Sequence, residues 1–199
     1  MTCKRKVFGI GFQKTGTSSL GAIFDKLGYQ VASYHDFRHF ASRDNVDWDE
    51  ISALALEIAT RRDAAKDTPW PLLYRELDAA FPGSKFIHLT RDTEAWIKSA
   101  VNDFGDYPNA VHKAIYGVPF PKGHEEIWIN RYERHNAEVA DYFRDRPEDY
   151  LCMRLEDEFS YEAVCEFLGE PLVGTGAPVA NTRLRKRINM LWRRLTSSI

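Results

Sequence analysis

The chain has few cysteines and no long apolar run, and each of these shortages excludes a class of protein. Three cysteines lie among 199 residues and none belongs to a Cys-x-x-Cys pair, so a disulfide framework or a zinc site is not expected. No hydrophobic stretch has the length of a membrane span, and the apolar residues 7–12 are too few for a signal-peptide core. We therefore expect a cytoplasmic protein without a transmembrane segment.

Net charge is also nearly absent. A formal charge of -2 provides no overall field that would attract nucleic acid, so a nucleic-acid partner is not expected and any anion site must be local. The chain does have core material, because 44% of its residues are hydrophobic and 13% are aromatic. Its length fits one domain, which we assign to residues 1–199.

Short apolar runs alternate with amphipathic segments along the chain. The runs predict strands, at residues 7–11, 29–33, 64–67, 85–90 and 150–155. The segments between and after them predict helices, at residues 20–27, 49–62, 72–80, 93–103, 125–143 and 160–168. This alternation predicts an α/β fold of three layers, α/β/α, with a central parallel sheet. Residues 105–123 contain three prolines and three glycines and predict a long loop, which we interpret as a lid or acceptor loop.

A glycine-rich loop joins the first predicted strand to the first helix, and it reads Gly9-Ile10-Gly11-Phe12-Gln13-Lys14-Thr15-Gly16-Thr17-Ser18-Ser19-Leu20. Glycines let the backbone approach a ligand, and a helix start supplies unpaired N–H groups and a positive dipole end. A lysine and four hydroxyls add charge and donors, so the loop predicts an anion-binding cradle. It is not an ordinary nucleotide P-loop, since its lysine precedes the last glycine instead of following it.

A second motif begins where the fourth predicted strand ends. Arg91 stands at the strand end, where open α/β sheets bind ligands, and Ser99 lies two turns into the next helix. The planar guanidinium suits a phosphate because it donates two parallel hydrogen bonds. The alternatives are an ion pair of Arg91 with Asp92 or Glu94, and an ordinary helix serine at position 99.

These two motifs resemble those of the sulfotransferases that use 3′-phosphoadenosine-5′-phosphosulfate (PAPS). The resemblance implies a P-loop NTPase-like sulfotransferase fold and transfer of a sulfuryl group from PAPS to a hydroxyl or amine acceptor, with 3′-phosphoadenosine 5′-phosphate (PAP) as product and no metal. Arg91 and Ser99 would bind the 3′-phosphate, and Lys14 would also stabilise charge on the leaving phosphate. The 5′-phosphosulfate would be held by Gln13, Lys14, Thr15, Gly16, Thr17, Ser18 and Ser19. The segment 132–181 resembles, more weakly, a bacterial and fungal subfamily.

The acceptor hydroxyl needs a base, and Asp67 is the first candidate. It follows the third predicted strand, and its distance upstream of Arg91 resembles that of the catalytic histidine in cytosolic sulfotransferases. A carboxylate can act as the base if its surroundings raise its pKa, although Asp67 could instead cap a helix. His35 and Asp36, in the loop after the second strand, are the alternative catalytic candidates.

The acceptor itself is not identified by the sequence. A small molecule, a lipid or a carbohydrate is expected, and the oligomeric state stays open. Four aromatic residues could form an apolar wall for the acceptor, or they could simply pack in the interior: Trp70, Tyr107, Tyr116 and Phe120. The basic segment 182–195 could be a solvated helix, a membrane-surface helix or a source of arginines for the 3′-phosphate.

Two other functions remain open at this point. A kinase-like phosphotransferase would need a lysine after Gly16, which is absent, and an acidic magnesium ligand, which Asp92 could supply. A protein that binds PAPS or PAP without catalysis would keep the same phosphate-binding residues, because fold does not guarantee activity.

Overall fold

Five parallel strands form the central sheet of the protein, whose computed structural model describes residues 4–174. The strands are β1 Val7–Gly9, β2 Val31–Ala32, β3 Ala64–Lys66, β4 Lys85–Thr90 and β5 Tyr150–Arg154. Their spatial order is β2-β3-β1-β4-β5. In the centre, Gly9 of β1 is in register with Lys66 of β3 on one side and Ile87 of β4 on the other. The carboxyl ends of β1, β3 and β4 therefore meet at one edge of the sheet.

Between residues 4 and 174, seven α-helices cover the sheet: α1 Thr17–Lys26, α2 Trp48–Arg61, α3 Tyr74–Ala80, α4 Thr93–Phe104, α5 Ala110–Tyr116, α6 Glu125–Tyr142 and α7 Tyr161–Leu168. Because side chains alternate along a strand, neighbouring residues of β1 enter different cores. Val7 packs with Phe24 of α1 and Val164 of α7, whereas Phe8 packs with residues of α2, α3 and α6. Helices thus cover both faces, and the predicted α/β/α fold with a parallel sheet is confirmed.

The segment at residues 105–123 differs from the prediction, because it contains α5. Asn109 accepts hydrogen bonds from the N–H groups of Val111 and His112, and Gly117 ends the helix with a φ of 76°. The base of the segment is closed by a hydrogen bond of 3.2 Å from Lys122 N to Gly105 O. The prediction of a continuous loop was therefore wrong for Ala110–Tyr116, and a lid function for the segment stays a prediction.

Smaller differences between the prediction and the structure concern where helices and strands begin and end. The helix predicted from residue 72 is preceded by a 3-10 turn, Trp70–Leu73, and begins at Tyr74. The second strand is two residues long. Every helix between residues 4 and 174 is too short or too polar to cross a bilayer. The basic segment 182–195 lies outside the described residues.

Candidate functional site

The glycine-rich loop turns from β1 into α1 at the carboxyl edge of the sheet. A Cβ atom on Gly11 would lie 2.3 Å from Leu89 O of β4, so no other residue fits this position without a backbone shift. Gly16 precedes α1 with a φ of 101°, a left-handed conformation that glycine adopts without strain. The two glycines therefore let the loop pack against β4 and aim the first N–H groups of α1 out of the sheet edge.

The loop hydroxyls divide into inward and outward groups. Thr15 is fully buried and its Oγ1 donates to Phe12 O at 2.6 Å, so this hydroxyl stabilises the loop itself. Thr17 is buried too, whereas Ser18 is exposed and Ser19 is half-buried. Of the four predicted phosphate-binding hydroxyls, those of Ser18 and Ser19 are the most accessible.

Two hydrogen bonds of the Gln13 side chain connect the loop to two other elements. Its Nε2 donates to the hydroxyl of Tyr116 at 2.5 Å, and its Oε1 accepts from Thr68 Oγ1 at 3.2 Å. Its carbonyl accepts a hydrogen bond of 2.8 Å from Trp96 Nε1. The side chain predicted to bind the donor is thus engaged within the protein, joining the loop to α5 and to the turn after β3.

Lys14 has a left-handed backbone, with a φ of 72°, and its side chain reaches α4. Its Nζ lies 2.7 Å from Asp103 Oδ2, and the lysine side chain is 13% exposed against 48% for the aspartate. Ser99, also half-buried on α4, precedes Asp103 by one turn, and residues four apart share a helix face. The helix face that carries Ser99 is therefore turned toward the glycine-rich loop.

Arg91 lies immediately beside this lysine. Its Nη1 donates to Lys14 O at 3.1 Å, and its Nε lies 3.4 Å from Glu156 Oε1. The neighbour considered as an ion-pair partner, Asp92, instead caps α4 by accepting from Ala95 N at 2.9 Å. Within residues 4–174 the buried Nε of Arg91 has no hydrogen-bond partner, so the guanidinium retains unused donor capacity.

Asp67 lies at the end of β3, the strand next to β1. It is half-buried with a φ of 70°, and its Oδ1 accepts from Thr68 N at 2.9 Å. Burial raises the pKa of Tyr34 and of Tyr116, and the carboxylate of Asp67 raises both further. No side chain caps the following 3-10 turn, so the alternative role of Asp67 as a helix cap is not observed.

His35 and Asp36 follow β2, one strand farther from the glycine-rich loop than Asp67. His35 is exposed. Asp36 Oδ2 accepts a hydrogen bond of 2.8 Å from Ser33 N, which completes a capping box around a short 3-10 turn. His35 and Asp36 therefore lie farther across the sheet from the loop that carries Lys14 than Asp67 does.

The four aromatic residues do not form one wall. Trp70 is fully buried and packs edge-on against Phe37 at 5.6 Å, Tyr116 stacks on Trp128 at 3.7 Å, and Tyr107 is 77% exposed. A depression lies beside the turn after β3, lined by Phe12, Gln13, Thr68, Pro69, Pro71, Leu72 and Ile115. Of the two alternatives, packing in the interior holds for Trp70 and Tyr116, whose rings complete the core.

Three residues that support the site were not predicted from the sequence. The hydroxyl of Tyr132 accepts from Arg91 N at 2.7 Å and donates to Arg91 O at 2.8 Å, fixing the backbone of that arginine. Trp96 stacks on Tyr132 at 4.1 Å, and His135 Nε2 lies 2.9 Å from Ile10 O. The sequence feature that could have identified the residues on α6 is the spacing of Trp128, Tyr132 and His135, which places their rings on one face of the helix.

Several solved structures are similar in overall chain path, with TM-scores below 0.5. A sugar kinase from Janibacter sp. HTCC2649 is 14% identical with a TM-score of 0.46, covering 82% of this chain and 91% of its own. A gluconokinase from Sinorhizobium meliloti 1021 is 13% identical with a TM-score of 0.47, covering 84% and 91%. Mouse sulfotransferase SULT7A1 complexed with PAP is 14% identical with a TM-score of 0.46, covering 85% of this chain and 59% of its own.

No curated protein sequence matches the chain. A family model described as a sulfotransferase domain does match, over residues 6–118 and 100–185. The matched residues include both the loop that carries Lys14 and the strand end that carries Arg91. Because the match extends over most of the sequence, the chain belongs to the sulfotransferase family.

Proposed function

We propose that the protein transfers a sulfuryl group from PAPS to a hydroxyl or amine acceptor by in-line displacement. One observation carries the proposal: Lys14 and Arg91 lie side by side, joined by the 3.1 Å hydrogen bond from Arg91 Nη1 to Lys14 O. PAPS carries two anionic groups, the 5′-phosphosulfate and the 3′-phosphate. Two adjacent cationic centres at the edge of a parallel sheet, next to a helix N-terminus, fit that pair of charges.

The roles within the donor site are those that the resemblance of the two motifs implies. Lys14, Ser18, Ser19 and the start of α1 would hold the 5′-phosphosulfate, with Lys14 nearest the oxygen between phosphorus and sulfur. As the bond from that oxygen to sulfur breaks, negative charge grows on the departing phosphate, and a lysine placed there stabilises it. Arg91 would bind the 3′-phosphate from the other side, with Ser99 on the adjacent helix face. The departing product is PAP.

Asp67 would accept the acceptor's proton while the new bond from oxygen or nitrogen to sulfur forms. Support comes from its position directly after β3, the strand beside the one that leads into the donor loop. Its neighbour Thr68 lines the depression beside the loop, so an acceptor bound there lies next to the carboxylate. A general base acts within about 3 Å, measured between heavy atoms, of the group it deprotonates, and an acceptor seated at the depression would bring its hydroxyl or amine toward Asp67.

The depression also suggests the kind of acceptor. Its lining is mostly apolar, which favours an acceptor that carries an apolar group beside the reacting hydroxyl or amine. A lipid or carbohydrate acceptor would place only its reacting end there. We propose a metal-free reaction in a single domain, and a cytoplasmic location.

The proposal is tested by incubating the protein with 35S-labelled PAPS and a panel of phenols, alcohols, amines and sugars. We expect label transfer that Asp67→Asn lowers by about 100-fold or more in kcat, the usual contribution of a general base. Asp63→Asn, at the other end of β3, is the matched control and should keep full turnover. Full turnover by Asp67→Asn would remove Asp67 as the base, and PAP binding without transfer to any acceptor would favour a non-catalytic binding protein.

A further inference from the structure

Both cations of the proposed donor site are already paired with carboxylates. Lys14 Nζ lies 2.7 Å from Asp103 Oδ2, and Arg91 Nε lies 3.4 Å from Glu156 Oε1. Neither carboxylate belongs to the motif that supplies the cation it contacts. The two acidic residues reach the same edge of the sheet from α4 and from the turn after β5.

The carboxylates lie where the two anionic groups of the donor are expected. Asp103 follows Ser99 by one turn of α4 and so lies on the helix face that is turned toward the glycine-rich loop. Glu156 follows Leu155, whose Cδ1 atom lies 2.7 Å from the position of a Cβ on Gly16. The turn that carries Glu156 therefore packs directly over the loop.

Exposure shows which partner of each pair can move. The side chains of Asp103 and Glu156 are 48% and 37% exposed, whereas those of Lys14 and Arg91 are 13% and 26% exposed. A half-exposed carboxylate loses little when it turns into water, because exposed ion pairs are weak. The cations are held more firmly, and Arg91 is further fixed by the hydroxyl of Tyr132.

We propose that Asp103 and Glu156 are displaceable counterions, each of which occupies a phosphate position until the donor replaces it. This inference rests on the proposed function. When PAPS binds, the 5′-phosphosulfate takes the place of Asp103 on Lys14, and the 3′-phosphate takes the place of Glu156 on Arg91. When PAP leaves, the carboxylates return. They weaken product binding and speed product release, and between turnovers they keep both cations in position.

Calorimetric titrations with three nucleotides separate the two positions. PAP carries both phosphates, AMP carries only the 5′-phosphate and adenosine 3′-phosphate carries only the 3′-phosphate. We expect Asp103→Asn to tighten PAP and AMP by about fivefold and leave adenosine 3′-phosphate unchanged. Glu156→Gln should tighten PAP and adenosine 3′-phosphate by a similar factor and leave AMP unchanged. A purely structural role would not produce this crossed pattern.

The matched control is Asp106→Asn. Asp106 lies three residues after Asp103 and forms an exposed ion pair with Lys122, so the substitution removes the same charge outside the site. It should change none of the three affinities. In stopped-flow measurements, PAP should leave the two site variants more slowly than it leaves the unmodified protein, by the same factor of about five.

The outcomes distinguish this inference from the proposed function. If the unmodified protein binds no PAP, the proposed function fails and the inference with it. If the unmodified protein binds PAP but Asp103→Asn and Glu156→Gln bind it equally well or more weakly, only the inference is overturned. Equal tightening of all three nucleotides by either variant would also overturn it, because that result indicates a general charge effect.

Discussion

Replacing Tyr132 with phenylalanine should damage the proposed 3′-phosphate site without removing any charge. The tyrosine is 1% exposed, and its hydroxyl accepts a hydrogen bond of 2.7 Å from Arg91 N and donates one of 2.8 Å to Arg91 O. Phenylalanine keeps the ring that stacks on Trp96 at 4.1 Å. The substitution therefore removes the two hydrogen bonds that fix the backbone of the arginine and keeps the aromatic packing.

The expected loss of stability follows from the number of hydrogen bonds removed. Two lost hydrogen bonds at about 1 kcal/mol each should lower the free energy of unfolding by about 2 kcal/mol. For a domain of this size that corresponds to a fall in the melting midpoint of about 4–8 °C. Because Arg91 is no longer held, PAP affinity should fall by about tenfold, the equivalent of 1.4 kcal/mol. AMP, which lacks the 3′-phosphate, should bind unchanged.

Urea denaturation and calorimetric titration of PAP and AMP measure these quantities. The matched control is Tyr142→Phe on the same helix, since Tyr142 OH donates to Asp78 Oδ2 at 2.7 Å away from the glycine-rich loop. It should lose about 1 kcal/mol of stability and no PAP affinity. If Tyr132→Phe keeps full PAP affinity, or loses AMP and PAP affinity equally, the assignment of Arg91 to the 3′-phosphate is refuted.

Three further predictions concern stability. Burial lowers the pKa of His88 and His112 to about 4, so the unfolded chain binds more protons between pH 6.5 and 4. The free energy of unfolding should therefore fall by up to roughly 3 kcal/mol per histidine as the pH falls through that window. Equal midpoints of urea denaturation at pH 7 and pH 5 would contradict this. Gly11→Ala places a Cβ 2.3 Å from Leu89 O and should cost about 3 kcal/mol or prevent folding, so a urea midpoint equal to that of the unmodified protein would disprove the close packing. Asn109→Ala removes the N-cap of α5 and should cost about 1 kcal/mol, with faster amide hydrogen exchange in Ala110–Tyr116 as the readout; unchanged exchange would refute the capping role.

The sheet could be predicted from the sequence because its strands are short, apolar and bounded by turn residues. The strand at residues 85–90 has the predicted bounds, since five of its six residues are buried, its apolar residues alternate between two cores and Pro82-Gly83 precede it. Parallel strands place their carboxyl ends at one edge, so the approach of Asp67 to the glycine-rich loop followed from strand order. Helix α5 was not predicted from the sequence, because it has only seven residues and its flanks contain prolines and glycines.

The ion pairs of the site could not be predicted in the same way. Lys14 and Asp103 are separated by 89 residues, and no periodicity connects them. The alternative considered for Arg91 was an ion pair with its sequence neighbours Asp92 or Glu94, whereas its ion-pair partner is Glu156, which the turn after β5 brings in. Such contacts depend on how loops from distant parts of the chain pack over the sheet edge. Residue type identified the cations, and only the fold identified their counterions.

The central claim is that Lys14 and Arg91 form a binding site for a 3′,5′-bisphosphorylated adenosine. The most direct measurement is the melting midpoint of the protein with PAP, with AMP and with magnesium-ATP, since a ligand that binds only the folded state raises the midpoint. The account predicts a rise with PAP that exceeds those with the other two nucleotides. Lys14→Ala and Arg91→Ala should reduce that rise, and the control Lys122→Ala, at an exposed ion pair, should not. A rise with magnesium-ATP and none with PAP would contradict the account and favour a kinase-like enzyme.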